Sequence, residues 1–356
     1  MGTHRNGPSL VRLNEEEECD LRQFIHQNPS ILGPDIWNKY QDLPFLFKVL
    51  SIARPLSIQA HPDAKLAKRL HSTKPHLYPD ALHKPEVAIA LTDFTALCGF
   101  KPLEEINAAL ATYTQLQTLC NTCKVSNQQQ LKEAYKSLMQ TPESQLATQF
   151  ASTLQQINLQ QPPESISEAE KLFLQLNAEF NGDIGCFSAF FFNKISLSPG
   201  EAIVMRQNEP HAYLSGECIE CMAASDNVVR AGLTPKFKDV EELVEMLTYH
   251  ASGAERHLLA PLKLSPSTWE YKDASIEEFK VLALKLTAGE EEKLQFKGPS
   301  IVCIVEGSAK CVQAGFTSVL VDKGQVFFVA AGQEHLSIQC LSGEFAAFVA
   351  TTSLAG

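Results

Sequence analysis

The sequence lacks any long hydrophobic run. None of its 356 residues fall in a stretch of about 18 consecutive apolar residues, the length that a membrane-spanning helix needs. The sequence also lacks an excess of positive charge, with 30 lysines and arginines against 41 aspartates and glutamates. Neither a membrane nor nucleic acid is therefore expected as a partner, and an anionic substrate would need a local cationic pocket.

A compact disulfide framework is also missing. Ten cysteines are scattered over a long chain, and the sequence does not start with a signal-peptide pattern. Reduced thiols and a cytoplasmic location are therefore expected. The pairs Cys120–Cys123 and Cys218–Cys221 could bind zinc, but they lie about a hundred residues apart, well beyond the usual spacing of zinc knuckles. Buried thiols that act as small apolar residues are the favoured interpretation.

What the sequence does contain is a set of apolar segments separated by turn residues. Strands are predicted over residues 43–60, 87–98 and 186–205, the last with a turn at Pro199-Gly200. Residues 260–275 have the composition of a linker. Residues 276–356 show short alternating strands at roughly ten-residue spacing, which predicts an all-β sandwich or barrel.

The periodicity changes between residues 100 and 181. Apolar residues recur there at i, i+3, i+4 and i+7, which is typical of amphipathic helices. Ser126 with Gln129, and Ser167 with Glu170, have the spacing of capping boxes. We therefore predict a helical insertion between two β-rich segments.

Ligand-capable side chains occur where strands meet proline. In "LSIQAHPD", Gln59 and His61 lie two positions apart, so a strand would aim both at one place. Glu86 and His211 each directly follow a proline. Two imidazoles, one carboxylate and one amide oxygen make a plausible nitrogen–oxygen site for Zn²⁺. Each residue alone is more often an ordinary core or surface residue.

Several cations stand out near these segments. Arg230 and Lys236 lie in "SDNVVRAGLTPKFKDV", which is either a charged surface loop or a rigid loop that binds an anion. Lys48 falls inside an apolar strand and needs solvent or an anion there. Lys84 lies two residues from Glu86 and could act as a base beside a metal.

Four long segments carry a family resemblance. The stretches are "PFLFKVLSIARPLSIQAHPD", "YPDALHKPEVAIALTDFTALCGFKP", "GDIGCF" and "LSPGEAIVMRQNEPHAYLSGECIECMAASDNVVRAGLTPKF". They closely resemble type I phosphomannose isomerases, over nearly the whole chain. The resemblance implies a mainly β fold with an α insertion. The implied fold comprises a cupin-type (jelly-roll) catalytic core, a helical domain and a second, C-terminal cupin-like β-sandwich.

On this resemblance, we expect four segments: 1–99 and 182–262 form the catalytic domain, 100–181 the helical domain and 263–356 the C-terminal sandwich. The implied reaction is the zinc-dependent interconversion of mannose 6-phosphate and fructose 6-phosphate. A sugar phosphate is then the expected partner of a chain that we expect to be monomeric.

The resemblance also implies roles for individual residues. One zinc ion per chain would be bound by Gln59, His61, Glu86 and His211, and Arg230 would be the catalytic arginine. The resemblance does not settle the proton-transfer base, for which Lys84 is the preferred candidate and His83 and Glu220 are the alternatives. The candidates for phosphate contact are Lys48, Ser57 and Lys236.

One departure from the family pattern is expected to matter. Family members carry further residues before the segment that corresponds to "MGTHRNGPS", and Arg5 stands where they have proline. A shortened chain that lacks the opening strands of the sandwich is therefore expected. A catalytically impaired binding form is one alternative function, and a cupin Fe(II) dioxygenase is another.

Overall fold

The computed structural model describes residues 1–13, 17–160, 165–313, 318–332 and 335–352. Its α-helices are α1 (Leu21–Gln27), α2 (Pro34–Tyr40), α3 (Ala64–Thr73), α4 (Leu103–Thr112), α5 (Thr114–Cys120), α6 (Gln128–Met139), α7 (Glu143–Asn158), α8 (Glu168–Phe180) and α9 (Val240–Met246). Short 3-10 helices cover Pro29–Leu32, Ile184–Phe190 and Ala254–His257. None of the described helices is both long enough and apolar enough to cross a membrane.

The strands fall before and after the long helical region. The first group is β1 (Leu10–Arg12), β2 (Glu18–Asp20), β3 (Phe45–Ile52), β4 (Ile58–Ala60), β5 (Glu86–Ala90) and β6 (Phe94–Phe100). The second is β7 (Phe192–Leu197), β8 (Ala202–Met205), β9 (His211–Ala223) and β10 (Val229–Gly232). The third is β11 (Leu262–Lys263), β12 (Thr268–Tyr271), β13 (Lys280–Thr287), β14 (Glu291–Leu294), β15 (Ser300–Gln313), β16 (Val319–Asp322), β17 (Val326–Val329) and β18 (Leu336–Thr351). The predicted mainly β fold with a helical insertion is confirmed.

The long strand β9 joins the two layers of the first sandwich. Its first half pairs with β4 and β6, and its second half pairs with β3 and β5. The register shifts near Ser215, and Gly216 follows with φ at 104°. A side chain at Gly216 would also collide with the carbonyl oxygen of Asp93. Glycine is therefore required where β9 passes from one layer to the other.

An apolar core fills the space between these layers. It is formed by alternating residues of the strands, including Ala88, Phe94, Ala96, Ile203 and Cys218. The outer face of the layer with β4 and β10 packs on the helical region, and Phe100 and Tyr135 meet edge to face there. The site described below lies where β4 ends and where β5 and β9 begin, so the packed layers fix its walls.

Helix caps show how closely local signals set the boundaries. Ser167 and Glu170 form the predicted capping box of α8. The predicted cap at Ser126 is wrong by one position. The side chain of Asn127 accepts a hydrogen bond from the backbone N–H of Gln130, and α6 begins at Gln128, directly after Asn127. Asparagine caps as well as serine does, so two adjacent candidates cannot be separated by spacing alone.

Two strand boundaries also differ from the predictions. Residues Ile184–Phe190 form a buried 3-10 helix, and the strand predicted over 186–205 begins only at Phe192. A fully buried helix is as uniformly apolar as a buried strand, so periodicity does not distinguish them. Residues 260–275 are not a plain linker, because β11 and β12 extend the C-terminal sheet there through β13.

The C-terminal sandwich is built on β15 and β18, which pair over most of their length. One face of its sheet packs against the first sandwich, where Phe348 and Ala350 join the same core as Val87 and Ile219. A cavity of 1210 Å³ opens between the two sandwiches, lined mainly by apolar side chains such as Val49. None of the predicted metal ligands lines this cavity, so the predicted chemistry lies elsewhere.

Candidate metal centre

Four neighbouring strands place one residue each in a single row. Arg230 of β10 lies opposite Gln59 of β4, Gln59 lies opposite His211 of β9, and His211 lies opposite Cys98 of β6. Residues directly opposite one another on neighbouring strands face the same side of a sheet. The row therefore brings the amide, the imidazole and the guanidinium to the same side of the sheet from distant parts of the chain.

His61 and Glu86 converge on His211, a member of this row. His61 Nε2 lies 3.3 Å from one carboxylate oxygen of Glu86, and His211 Nε2 lies 3.3 Å from the other. The three side chains are 1–2% exposed. Their ligand atoms all lie within 4.8 Å of one another, and no other such cluster of histidine, cysteine and carboxylate groups occurs in the described part of the chain.

Backbone carbonyls orient both imidazoles. His61 Nδ1 lies 2.7 Å from the carbonyl oxygen of Asn227, and His211 Nδ1 lies 3.1 Å from that of Glu209. A carbonyl can only accept a hydrogen bond, so Nδ1 carries the proton in each ring. In a neutral ring held this way, Nε2 carries the lone pair that metal ligation requires.

The donor set fits a zinc ion. His61 Nε2, His211 Nε2 and one oxygen of Glu86 are buried and have no hydrogen-bond partner in the described residues. Unsatisfied buried polar atoms are costly, and three of them meet here. Two ligands bound tetrahedrally to Zn²⁺ at about 2.0–2.1 Å lie about 3.3–3.4 Å apart, which matches the 3.3 Å between each histidine and its nearer Glu86 oxygen. An ion between these atoms would satisfy all three.

The charges at the centre suit a cation. Burial lowers the pKa of His61 to about 4, and the positive charge of Lys84 acts in the same direction. Burial by itself would raise the pKa of Glu86, but Lys84 and the two histidines outweigh it and hold that pKa well below its usual value. At neutral pH His61 is therefore a neutral imidazole and Glu86 a carboxylate.

A second charged group lies beside the centre. Lys48 Nζ pairs with Glu220 at 2.7 Å, and the other oxygen of Glu220 accepts the hydroxyl of Tyr213 at 2.9 Å. Burial opposes the charge on Lys48, but Glu220 outweighs it and raises the pKa of Lys48. Lys48 therefore meets an internal carboxylate, while part of its side chain remains exposed.

The remaining candidate site residues differ in their burial and in their contacts. Lys84 Nζ lies 3.1 Å from Glu86 and is almost buried. Ser57 is half-buried directly before β4, and Lys236 is exposed in the segment after β10. Arg230 is half-buried, and its guanidinium forms no ion pair or hydrogen bond with any described residue. A partly buried cation without a partner is a candidate for contact with an anionic ligand.

The segment that carries Arg230 is not the charged surface loop that its composition suggests. Ser225 and Asn227 are buried, and Val229–Gly232 form β10. The surface-loop interpretation is wrong for the part around Arg230, because hydrogen bonds to residues 80–82 satisfy these polar side chains inside the protein. It holds for residues 235–237, which are exposed.

His83 makes contacts away from the cluster. Its Nε2 lies 2.7 Å from Glu278 Oε1, and its Nδ1 lies 2.6 Å from the amide of Gln207. The hydrogen-bonded carboxylate of Glu278 raises the pKa of His83, against the effect of burial. This pair connects the segment before Glu86 to the start of the C-terminal sandwich.

Replacing Glu278 with glutamine is expected to make stability less dependent on pH near neutrality. A raised histidine pKa stabilises the fold fully below the unfolded-state pKa of about 6.5, and this contribution is lost as pH rises through the folded-state pKa. Glu278→Gln should therefore be less stable than wild type at pH 6, and the gap should narrow towards alkaline pH. Urea unfolding at several pH values measures this difference in the free energy of unfolding. Glu344→Gln is the control, because Glu344 is exposed on β18 and does not contact His83.

Sequence reasoning missed a buried group behind His211. Cys98 Sγ lies 3.3 Å from His257 Nδ1, and His257 Nε2 lies 3.6 Å from Glu209, which also pairs with Arg256. Burial raises the pKa of the Cys98 thiol far above its ordinary value, so this is not a nucleophile with its base. The group instead holds the segment whose backbone carbonyl orients His211. No spacing in the sequence signals it.

A buried His–His–Glu cluster at the end of a β-sandwich, with an insertion of helices, places the chain among the cupin-like proteins. Residues 1–103 match the model for the catalytic domain of type I phosphomannose isomerase, and residues 105–192 match that for its helical insertion domain. The chain belongs to the type I phosphomannose isomerase family.

Relatives and solved structures agree with this assignment. Mannose-6-phosphate isomerase 2 of Arabidopsis thaliana is 40% identical over 94% of this chain and 80% of its own length. Mannose-6-phosphate isomerase of Homo sapiens is 37% identical over 94% and 83%. A zinc-bound crystal structure of mannose 6-phosphate isomerase superposes with a TM-score of 0.88 at 29% identity, covering 99% of this chain and 90% of that one. A mutant of phosphomannose isomerase from Salmonella typhimurium gives a TM-score of 0.89 at 28% identity, with the same coverage. The predicted cupin-like fold is confirmed.

Proposed function

We propose that this chain is a zinc-dependent aldose–ketose isomerase that interconverts mannose 6-phosphate and fructose 6-phosphate. The observation that carries the proposal is the convergence of three unsatisfied buried ligand atoms, from His61, Glu86 and His211, within a chain of this family. The uncommitted guanidinium of Arg230, in the same row of residues, supports it.

The metal ligands would be His61, Glu86 and His211, with the amide oxygen of Gln59 as the fourth. Gln59 lies directly opposite His211 on the neighbouring strand, so its side chain can reach the same point. A zinc ion bound here would act as a Lewis acid that polarises the substrate's oxygens. The neutral amide leaves the site one unit more positive than a second carboxylate would.

The reaction moves one proton between adjacent carbons. In the open-chain sugar, a base removes the proton from C2, an enediol forms, and a proton returns at C1. Lys84 is our preferred base, because its amine lies in the site beside Glu86. Glu220 and His83 are the alternatives, although each already binds other side chains. Arg230 would stabilise the negative charge that develops on the substrate oxygens.

The substrate's phosphate needs cations and hydrogen-bond donors at some distance from this centre. Lys48, Ser57 and Lys236 are our candidates. Lys48 is partly exposed beside the centre and would have to share its charge with Glu220. Lys236 is exposed and forms no ion pair with any described residue.

Removing the metal is expected to abolish isomerase activity reversibly. Protein purified without chelator should contain about one zinc per chain, because the site has a single set of ligands for one ion. A chelator should remove the zinc and the formation of fructose 6-phosphate together, and added Zn²⁺ should restore both. Elemental analysis and a coupled assay measure these quantities. Stoichiometric zinc without turnover would instead favour a catalytically impaired binding form.

Three further expectations concern the oligomeric state of the chain, its location in the cell and the boundaries of its domains. We propose that the chain is monomeric and cytoplasmic, and that its segments divide near residues 99, 181 and 262. Light scattering on a size-exclusion column tests the first of these. Imaging of the tagged protein tests the second, and limited proteolysis tests the third.

A further inference from the structure

Asp80 holds a segment that is distant in sequence. Its Oδ1 accepts hydrogen bonds from the hydroxyl of Ser225 at 2.8 Å and from the side-chain amide of Asn227 at 3.0 Å. Its Oδ2 accepts the backbone N–H of Asp226 at 2.8 Å. The side chain of Asp226 is engaged elsewhere, with His4 at 3.0 Å. One carboxylate therefore binds three consecutive residues.

The held segment in turn orients a metal ligand. Asn227 is fully buried, and its side-chain amide also donates to the carbonyl oxygens of Asp80 at 2.8 Å and Leu82 at 2.9 Å. Its own carbonyl accepts the Nδ1 hydrogen of His61 at 2.7 Å. The position of that carbonyl, and with it the direction of His61 Nε2, therefore depends on how Asn227 is held.

Both of the segments that these hydrogen bonds join are close in sequence to residues of the metal centre. Asp80 and Leu82 come just before Lys84 and Glu86 in the chain. Asn227 comes three residues before Arg230. The Asp80 contacts therefore join the segment that supplies the carboxylate to the segment that supplies the arginine and orients a histidine.

We propose that Asp80 is a positioning residue for the metal centre, acting through Asn227 on His61 and on the neighbouring Arg230. This inference rests on the proposed function, because it concerns the same zinc site. Asp80 would contact neither the metal nor the substrate. It fixes the geometry in which the ligands and the arginine meet.

Replacing Asp80 with asparagine keeps the size of the side chain and removes its charge. An amide has one acceptor oxygen and turns an NH₂ group towards donors, so at least one of the three bonds is lost or becomes repulsive. Loss of the partner that orients a metal-binding histidine typically weakens metal binding by about 10–100-fold. We therefore expect the zinc dissociation constant to rise by that factor, and kcat to fall more than KM changes.

Chelator competition on the full chain gives the zinc affinity, and the cobalt(II)-substituted protein gives a direct signature. The d–d absorption of bound Co²⁺ should change in Asp80→Asn and should largely return in Asp80→Glu, which keeps the carboxylate. Asp35→Asn, the same chemical change at an exposed position of α2, should leave both readouts as in wild type.

Unchanged zinc affinity and an unchanged Co²⁺ spectrum in folded Asp80→Asn would overturn the inference while leaving the proposed function intact. A wild-type chain that binds neither metal would overturn both. Ser225→Ala covers the case in which Asp80→Asn does not fold, because it deletes one donor and keeps the charge. Weaker zinc binding at an unchanged melting temperature would support the inference there, and unchanged binding would overturn it.

Discussion

Replacing His211 with alanine is expected to remove zinc from the protein and to lower isomerase activity at least about a thousandfold. A Lewis-acidic metal contributes several kcal/mol to transition-state stabilisation, and each 1.36 kcal/mol is a factor of ten in rate. His211 supplies one of the three unsatisfied atoms of the cluster and lies directly opposite Gln59. Its loss therefore affects two of the proposed ligands.

The measurement is zinc content together with kcat. His76→Ala is the matched control, because His76 is exposed and lies outside the cluster. It should retain one zinc per chain and the wild-type rate. Glu86→Gln is a second variant of nearly unchanged volume, and it should also lose the metal. If His211→Ala keeps both zinc and rate, the metal assignment is wrong.

Replacing Arg230 with alanine is expected to lower kcat by about 10²–10³-fold without loss of zinc. Removing one group that stabilises developing negative charge costs about 2.7–4 kcal/mol in comparable sites. The guanidinium has no partner in the described residues, so the variant should change stability by no more than about 0.5 kcal/mol. The variant should therefore have a much lower kcat and a nearly unchanged free energy of unfolding.

Steady-state kinetics, zinc analysis and urea unfolding test this separation. Arg54→Ala is the control, since Arg54 is exposed and pairs with Glu179 at the surface. It should leave kcat unchanged. A normal kcat in Arg230→Ala would contradict a catalytic role, and loss of zinc from that variant would indicate that the arginine acts on the ligands instead.

The sequence predicted those structural features that depend on residues close together in the chain. Strand alternation and the following proline drew attention to Gln59 and His61, and the capping box of Ser167 and Glu170 predicted the start of α8 correctly. The helical region between two groups of strands was visible from periodicity alone. These features depend on a few neighbouring residues, so a single sequence contains them.

Features that depend on distant pairing could not be predicted. Asp80 binds donors 145–147 residues away, and nothing around it in the sequence marks it. The row that joins Arg230, Gln59 and His211 is set by strand register, which arises only when the sheet forms. Uniform burial hid the 3-10 helix at Ile184–Phe190, because an apolar run of that length suits either a strand or a helix.

The way in which the helical region joins the sandwich has a consequence for folding. Strands β6 and β7 pair with each other although this region lies between them, and at its two ends the N–H of Lys101 donates to the carbonyl oxygen of Phe191 at 2.8 Å. If the helices fold first, a flexible loop of about 90 residues becomes a short connection, which lowers the entropic cost of closing it by about 2–3 kcal/mol. Variants that weaken the helices, such as a loss of the Ser167 cap, should therefore slow assembly of the sheet that carries the metal ligands, even though no helix between Lys101 and Phe191 supplies one.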